Sequence, residues 1–364
     1  MDFRELTPAG LQEFIASEEY RQMPVIPISP QRAISHINNP RVEKDDMILL
    51  LAYEDEKLVG YLGVLADSLY VRGKIRKAGW LSCMWVDPLQ RGKGIAKKLL
   101  TQVLDAWGER ILVTEFTHAA KGLYDYSGVF DDLKKLEGIR AYLRLPVSDI
   151  LPRKKPVLKS LTPVLRFFDN MVNTLISVRL WFWQSNPAIS WEVIREIDEE
   201  LGAFIEARQE NQLMRRSAED LNWMIRYPWL LGGVGEDRIS SRYHFSAVDM
   251  RFEVINLRLT DSQGKTVGYL MLTVRGNNLK IPYLYVEDGR IAEVAKLIVR
   301  LMKEKGLRVL TVFHPALVQY FRANRRPFFH IRKAYRHFII SKIFGPVDPV
   351  EIEIQDGDAD CGFT

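Results

Sequence analysis

Cysteine is nearly absent from this chain. Its 364 residues carry two, Cys83 and Cys361, far apart in sequence, which excludes a disulfide framework and a cysteine-based metal site. A strong charge imbalance is missing too. The 51 basic residues against 46 acidic leave a net charge of +5, an excess that suits an anionic small-molecule partner and does not call for nucleic acid. The opening Met-Asp-Phe-Arg-Glu-Leu-Thr-Pro has no apolar core of the kind a secretion signal needs, so the cytoplasm is the expected compartment. The most apolar stretch, Val164–Trp183, contains Arg166, Asp169, Asn170, Asn173 and Arg179, and an Arg or Asp at mid-bilayer costs about 2.5–3.5 kcal/mol each. No membrane span is expected. The stretch reads as a helix packed between domains, with an amphipathic helix on a membrane surface as the alternative.

Two familiar phosphate-binding patterns are also lacking. The chain offers no Gly-x-x-x-x-Gly-Lys-Ser/Thr loop, because Gly94 is followed by Ile95, and no three-glycine turn after a first βαβ strand. A nucleotide triphosphatase and a dinucleotide-binding fold are set aside. What is present is a globular composition, 47% hydrophobic and 27% charged, over a length that suggests about two domains.

The informative stretch is 85–99, Trp-Val-Asp-Pro-Leu-Gln-Arg-Gly-Lys-Gly-Ile-Ala-Lys-Lys-Leu. It predicts a strand running into a basic, glycine-rich turn that opens a helix. Gly92 and Gly94 let the backbone turn its N–H groups toward one point. Ile95, Leu99, Val103 and Trp107 then fall on one helical stripe, so the first-turn amides and the positive end of the helix dipole add to the same anion site.

The run from Val86 to Ala96, a strand ending Val-x-Pro followed by Arg91-x-x-Gly94-x-Ala96, resembles the GNAT acetyltransferase superfamily. The resemblance implies an α/β (α+β) fold whose sheet is mixed, mostly antiparallel and flanked by helices. It implies that the loop Arg91, Gly92, Lys93, Gly94, Ile95 and Ala96 binds the pyrophosphate of acetyl-CoA, and that the backbone of Met84, Trp85 and Val86 holds the pantetheine arm. A second block, Thr117-x-x-Ala120-x-x-Leu123-Tyr124-x-x-x-Gly128-Val129, is similar to the superfamily's helix after the next strand, with Thr in place of Asn and Val in place of Phe. By that likeness Tyr124 is the candidate acid that returns a proton to the departing thiolate, a task suited to a phenol.

The implied reaction is acyl transfer from acetyl-CoA to a primary amine by direct attack in a ternary complex, with strand amides holding the oxyanion and no metal required. Glu115 and His118 are the nearest candidates to accept the amine's proton. Cys83 on the pantetheine strand raises the possibility of a covalent acetyl-cysteine, but a cysteine there reads as a packing residue, and direct transfer is preferred. The expected acceptor is a small-molecule or peptide amine. The alternative is a non-catalytic protein that senses CoA or uses the scaffold for a partner. Transfer of a longer acyl group stays open, whereas the CoA-type loop argues against the aminoacyl-tRNA donor of Fem-type relatives.

The same order of elements recurs after Ser190, which suggests an internal duplication. The expected division is an N-terminal GNAT domain at 1–147, a helical connector at 148–190, a second GNAT-like domain at 191–345 and a tail at 346–364. A helix is expected over Trp191–Glu210. The second copy's loop, Glu287-Asp288-Gly289-Arg290, has two carboxylates and one glycine, a poor cradle for pyrophosphate. It is read as degenerate, with Tyr320 as a core residue rather than a counterpart of Tyr124.

Overall fold

The computed structural model describes residues 1–145, 151, 155–182, 187–233 and 241–359; Arg153, Lys154, Trp183 and Cys361 lie outside them. The chain opens with β1 (Asp2–Leu6), α1 (Pro8–Ala16), α2 (Glu18–Gln22), α3 (Pro30–Ile37), β2 (Leu49–Glu54), β3 (Lys57–Val71), β4 (Lys74–Val86), α4 (Ile95–Ala106), β5 (Ile111–Thr114), α5 (His118–Ser127) and β6 (Phe130–Tyr142). It continues with α6 (Thr162–Phe182), β7 (Ser190–Val193), α7 (Glu199–Glu206), α8 (Ala218–Arg226), β8 (Leu231–Gly232), β9 (Val248–Asp249), β10 (Phe252–Thr260), β11 (Thr266–Arg275) and β12 (Asn278–Val286). The last elements are α9 (Ile291–Glu304), β13 (Val309–Val312), α10 (Pro315–Ala323) and β14 (His330–Ser341).

The duplication read from the sequence is present as a repeated pairing scheme. β4 pairs antiparallel with β3 and parallel with β5. Likewise β12 pairs antiparallel with β11 and parallel with β13. The final strands, however, are exchanged. Phe338–Ile340 of β14 pair antiparallel with Leu112–Thr114 of β5, while Ile139–Tyr142 of β6 pair antiparallel with Val309–Val312 of β13.

Because of this exchange the compact units do not follow the chain halves. One unit comprises 1–136, 194–254 and 336–364, and the other 137–193 and 255–335. The boundaries expected at 147, 190 and 345 assumed that each domain keeps its own last strand. The helix expected over Trp191–Glu210 is shorter than its sequence suggests. Its first residues form β7, whose Ser190–Val193 pair with Leu257–Thr260, and the helix begins only at Glu199, where the Asp198 side chain accepts the Leu201 amide and caps it.

Within the first unit the sheet is apolar on both faces, which explains why Met47–Ala52 reads as a continuous hydrophobic run rather than an alternating one. Leu50 and Ala52 join Leu62, Val64, Leu99, Val103 and Trp107 under α4. Leu49 and Leu51 join Leu11, Phe14, Ile26 and Tyr61 beneath α1 and α3. At Gly60 an added Cβ would stand 3.0 Å from Ile95 and 3.1 Å from Leu99, so the missing side chain lets α4 settle onto β3.

The unit's three chain segments are tied together by a buried ionic cluster. Asp67 on β3 accepts from Trp80 Nε1 at 2.9 Å, from Arg216 Nη1 and Nη2 at 2.9 Å each, and from Arg41. Arg41 also reaches Asp220 at 2.7 Å through Nε and Nη2, and Arg216 reaches Asp358 at 2.9 Å. Burial by itself would raise the Asp67 carboxyl, but Arg216 and Arg41 outweigh it and hold it at about 2. Because that value lies below the unfolded one of about 3.9, the carboxylate stabilises the fold at neutral pH and ceases to do so as pH falls from about 4 toward 2. Asp67→Asn is expected to cost about 3–5 kcal/mol at pH 7. Urea unfolding of both proteins across acid pH should show the gap between them closing in that window.

Candidate active site

The site begins where two strands part. β4 and β5 run parallel for the pairs Gly79–Ile111 and Trp80–Leu112 only, after which Leu81–Val86 has no β5 partner. β5 is ended by Glu115, a non-glycine residue at φ 55°. On its other edge β4 is bulged, since Tyr61 faces Trp85 and Gly63 faces Ser82, which sets Cys83 and Met84 against Leu62 alone. Cys83 takes φ 56° at this bulge, a conformation that costs an L-residue about 1–2 kcal/mol. Met84 and Val86 pack toward the α4 core. Trp85 packs on the opposite face, stacked between Tyr61 at 5.4 Å and His244 at 4.9 Å. The three residues expected to hold an extended arm by their backbone thus line an open strand edge.

At the end of β4 the Asp87 side chain accepts from the Leu89 amide at 2.9 Å and from Lys57 Nζ at 3.2 Å, which fixes the start of the turn. Gly92 and Gly94 adopt φ 86° and 76°. A Cβ at either would meet nothing within 4 Å, so the glycines answer a backbone requirement and leave the concave side clear. Gly94 is the N-cap of α4, and no side chain caps that helix. By contrast, Thr7, Ser17, Ser29, Thr117, Asp198 and Ser217 cap α1, α2, α3, α5, α7 and α8. The first-turn amides of α4, at Ile95 and Ala96, are therefore left for a ligand beside exposed Arg91, Gly92 and Lys93. This is the arrangement an anion requires.

Tyr124 is buried on α5 between Phe116 and Phe130, at ring distances of 5.9 and 5.6 Å. Burial pushes its hydroxyl up to about 12, so it remains a phenol throughout the neutral range. The Thr that replaces the superfamily's Asn works as a helix cap, with the Thr117 hydroxyl accepting the Ala120 amide at 3.2 Å. Gly128 closes the helix at φ 72°. Glu115 is differently placed. Its half-exposed carboxylate accepts from Arg336 Nη2 at 2.9 Å, and the buried Arg336 also binds Asp356 at 2.6 Å. The carboxylate is partly committed to that pair, while His118 is exposed at the start of α5.

The structure gathers residues that sequence spacing does not reveal. Arg32 of α3 donates through Nη1 to Ser82 Oγ at 3.1 Å and to Cys83 Sγ at 3.0 Å, and Tyr243 donates to the same sulfur at 3.4 Å. Trp229 lies under the Arg32 guanidinium at 5.7 Å. The buried Tyr61 hydroxyl has no hydrogen-bond partner among the described residues. Cys83 is thus surrounded by donors, where the sequence read it as a packing residue. Trp229 and Tyr243 come together in this cluster, whereas Trp223 is buried with Nε1 donating to Ser35 O at 2.8 Å. Nearby, a groove of about 640 Å³ is lined by Met23, Val25, Leu58, Trp85, Leu89 and His244. On β4, Lys77 is paired with Glu43 and Asp46 at 2.7 and 2.6 Å.

In the second repeat the turn between β12 and α9 is four residues, 287–290, against eight, 87–94, in the first. Only Gly289 has positive φ there, at 81°, and Glu287 is paired with Lys265 at 2.9 Å. Tyr320 packs against the core of its own unit.

Residues 2–126 match the acetyltransferase (GNAT) domain family. Among solved structures, a GCN5-related N-acetyltransferase from Anabaena variabilis is similar in fold, with a TM-score of 0.51 and 10% identity over 93% of this chain and 72% of its own. A GCN5-related N-acetyltransferase from Kribbella flavida gives 0.49 and 10%, over 93% and 71%. A tandem GNAT protein from the clavulanic acid biosynthesis pathway gives 0.47 and 12%, over 95% and 99%. No curated protein matches the sequence.

The glycine turn yields a direct test of backbone demand. Since the space at Gly94 is open, Gly94→Asn should be nearly neutral, because Asn tolerates the left-handed region, whereas Gly94→Val should cost about 1–2 kcal/mol. Thermal unfolding of the two variants beside the parent measures the difference.

Proposed function

We propose that the protein is an N-acyltransferase that passes an acetyl group from acetyl-CoA to a primary amine. The observation that carries this reading is the continuity of an open strand edge at Met84–Val86 with an uncapped, glycine-lined helix start at Gly92–Ala96. One feature suits the amides of a pantetheine arm and the other its pyrophosphate. Exposed Arg91 and Lys93 add positive charge beside the turn.

In this reading a neutral amine attacks the thioester directly, and the amides freed at the β4 bulge receive the developing oxyanion. Tyr124 protonates the departing CoA thiolate. As a phenol throughout the neutral range it carries the proton that the thiolate takes up. The amine's own proton leaves through water or to Glu115, whose pairing with Arg336 limits its reach. The groove beneath Trp85 suits an acceptor with an apolar body, and Glu19, Asp55 and Glu56 among its lining residues favour a cationic amine over an anionic one. The second repeat, with its short acidic turn, is assigned no cofactor and a supporting role.

Calorimetric titration with acetyl-CoA should find one site, lost in the double variant Arg91→Glu, Gly94→Asp, which places charge and bulk in the cradle. Tyr124→Phe should retain that affinity while turnover on an amine panel drops by about 10²–10⁴-fold. Binding without turnover by the parent on any amine would favour a CoA-sensing protein. Absence of binding would remove the enzyme reading.

A further inference from the structure

Among the described residues that line the groove beneath Trp85, His244 alone carries an imidazole. Its ring stacks on the Trp85 indole at 4.9 Å with an interplanar angle of 15°, which sets the plane of the imidazole. The residue is exposed and makes no hydrogen bond among the described residues. The other titratable groups of the groove are engaged or solvated. Glu19 accepts from Arg4 at 2.9 Å and from the Tyr53 hydroxyl at 2.7 Å. Asp87 is held by Lys57 and by the Leu89 amide. Asp55 and Glu56 are exposed in the turn between β2 and β3, and a solvated carboxylate is a weak base. On the segment of His244 itself, Arg242 donates to the carbonyls of Arg21 and Met23 at 2.7 and 3.1 Å, and Tyr243 donates to Cys83.

The position of this imidazole relative to Tyr124 gives it a task. Trp85, on which it stacks, packs with Cys83 and Phe245 on one face of β4, while Tyr124 packs in the core on the α4 face. His244 and Tyr124 therefore flank the open edge of β4 from opposite faces of the sheet. An amine entering from the groove sheds its proton on one side, and the thiolate leaves toward the phenol on the other. Imidazole is also the side chain whose charge changes between about pH 5 and 8, so near neutrality it both accepts and releases a proton. We infer that His244 is the general base that takes the proton of the attacking amine. The inference rests on the acyl-transfer reading above and assigns to the imidazole the proton otherwise left to water or to Glu115, whose carboxylate Arg336 holds. The amine nitrogen bonds to the acetyl carbon, and the carbon–sulfur bond breaks with its electron pair on sulfur. Tyr124 gives that sulfur a proton, His244 takes one from the nitrogen, and water restores both side chains.

The pH dependence of kcat in the full chain tests the assignment, at saturating acetyl-CoA and with the fastest acceptor of a panel of arylalkyl primary amines, tyramine and tryptamine included. The parent should lose kcat along an acid limb between about pH 5 and 8 as the imidazole becomes charged. His244→Gln should lower kcat at pH 7 by about 10²–10⁴-fold and flatten that limb, whereas Glu115→Gln should keep it. His244→Ala should regain turnover as free imidazole is added, a rescue that a merely structural role would not show. Acetyl-CoA affinity by calorimetry should match the parent's in both His244 variants, since the side chain lies outside the glycine turn. An acid limb unchanged in His244→Gln, one lost in Glu115→Gln, or an alanine variant that imidazole does not revive overturns the assignment and leaves acyl transfer standing. A parent that binds acetyl-CoA and turns over none of the amines removes the assignment together with the acyl-transfer reading.

Discussion

Everything chemical in this protein depends on a parallel strand pair that stays together for two residues and then separates. A continuous sheet would satisfy the edge of β4 with β5 and leave nothing to offer a ligand. Separation exposes a strand edge while the opposite edge remains anchored to β3. β5 is short, turned aside at Glu115, and occupied on its far side by the end of β14, so it does not follow β4 any further. The bulge at Cys83 adds a local twist at the same level. An unpaired strand edge in a folded protein is ordinarily a liability; here it opens directly into a glycine turn and an uncapped helix, and the three form one polar track lined by N–H groups.

The exchange of final strands gives that arrangement its frame. The strand that keeps β5 in place comes from the far end of the chain, and the first repeat's own last strand, β6, serves the other unit. Residues 194–254 return to the first unit, where Arg216 and Asp220 join Arg41, Asp67 and Asp358 in a buried cluster. Such a cluster contributes little to stability unless every partner is present, and its bonded partners are separated by up to 179 residues. The same returning segment delivers Trp229, Tyr243 and His244 to the face of β4 opposite α4. Structural closure and assembly of the candidate acceptor side are therefore done by one piece of chain.

Much of the site was legible because its features are local. Gly92, Gly94 and the apolar stripe from Ile95 occupy one short stretch, and positive φ with an amphipathic helix start are properties that a dozen residues specify on their own. Thr117 and Gly128 likewise bracket α5 as N-cap and C-cap, and the burial of Tyr124 follows from its place on that helix's inner stripe. Arg32, Tyr61 and Tyr243 around Cys83 were not legible. Arg32 and Tyr243 lie in different segments, Tyr61 sits within an apolar strand, and no spacing rule connects residues that meet only through sheet packing. Trp191–Glu210 shows the same limit at the level of an element. Its helical composition gave way at Trp191 to the pairing offered by β10, because an edge with free N–H and C=O groups outweighs a weak local preference.

The amino-acid order by itself determined most of the elements, the repeat and the glycine turn that opens α4, since each rests on contacts within a few positions along the chain. Tertiary structure alone decided which unit receives each final strand, that Glu115 is engaged by Arg336, that donors surround Cys83, and that Asp169 and Asn173 of α6 are buried. Those outcomes are set by competition among distant partners for burial and hydrogen bonds. Such competition is resolved only when the whole chain has folded.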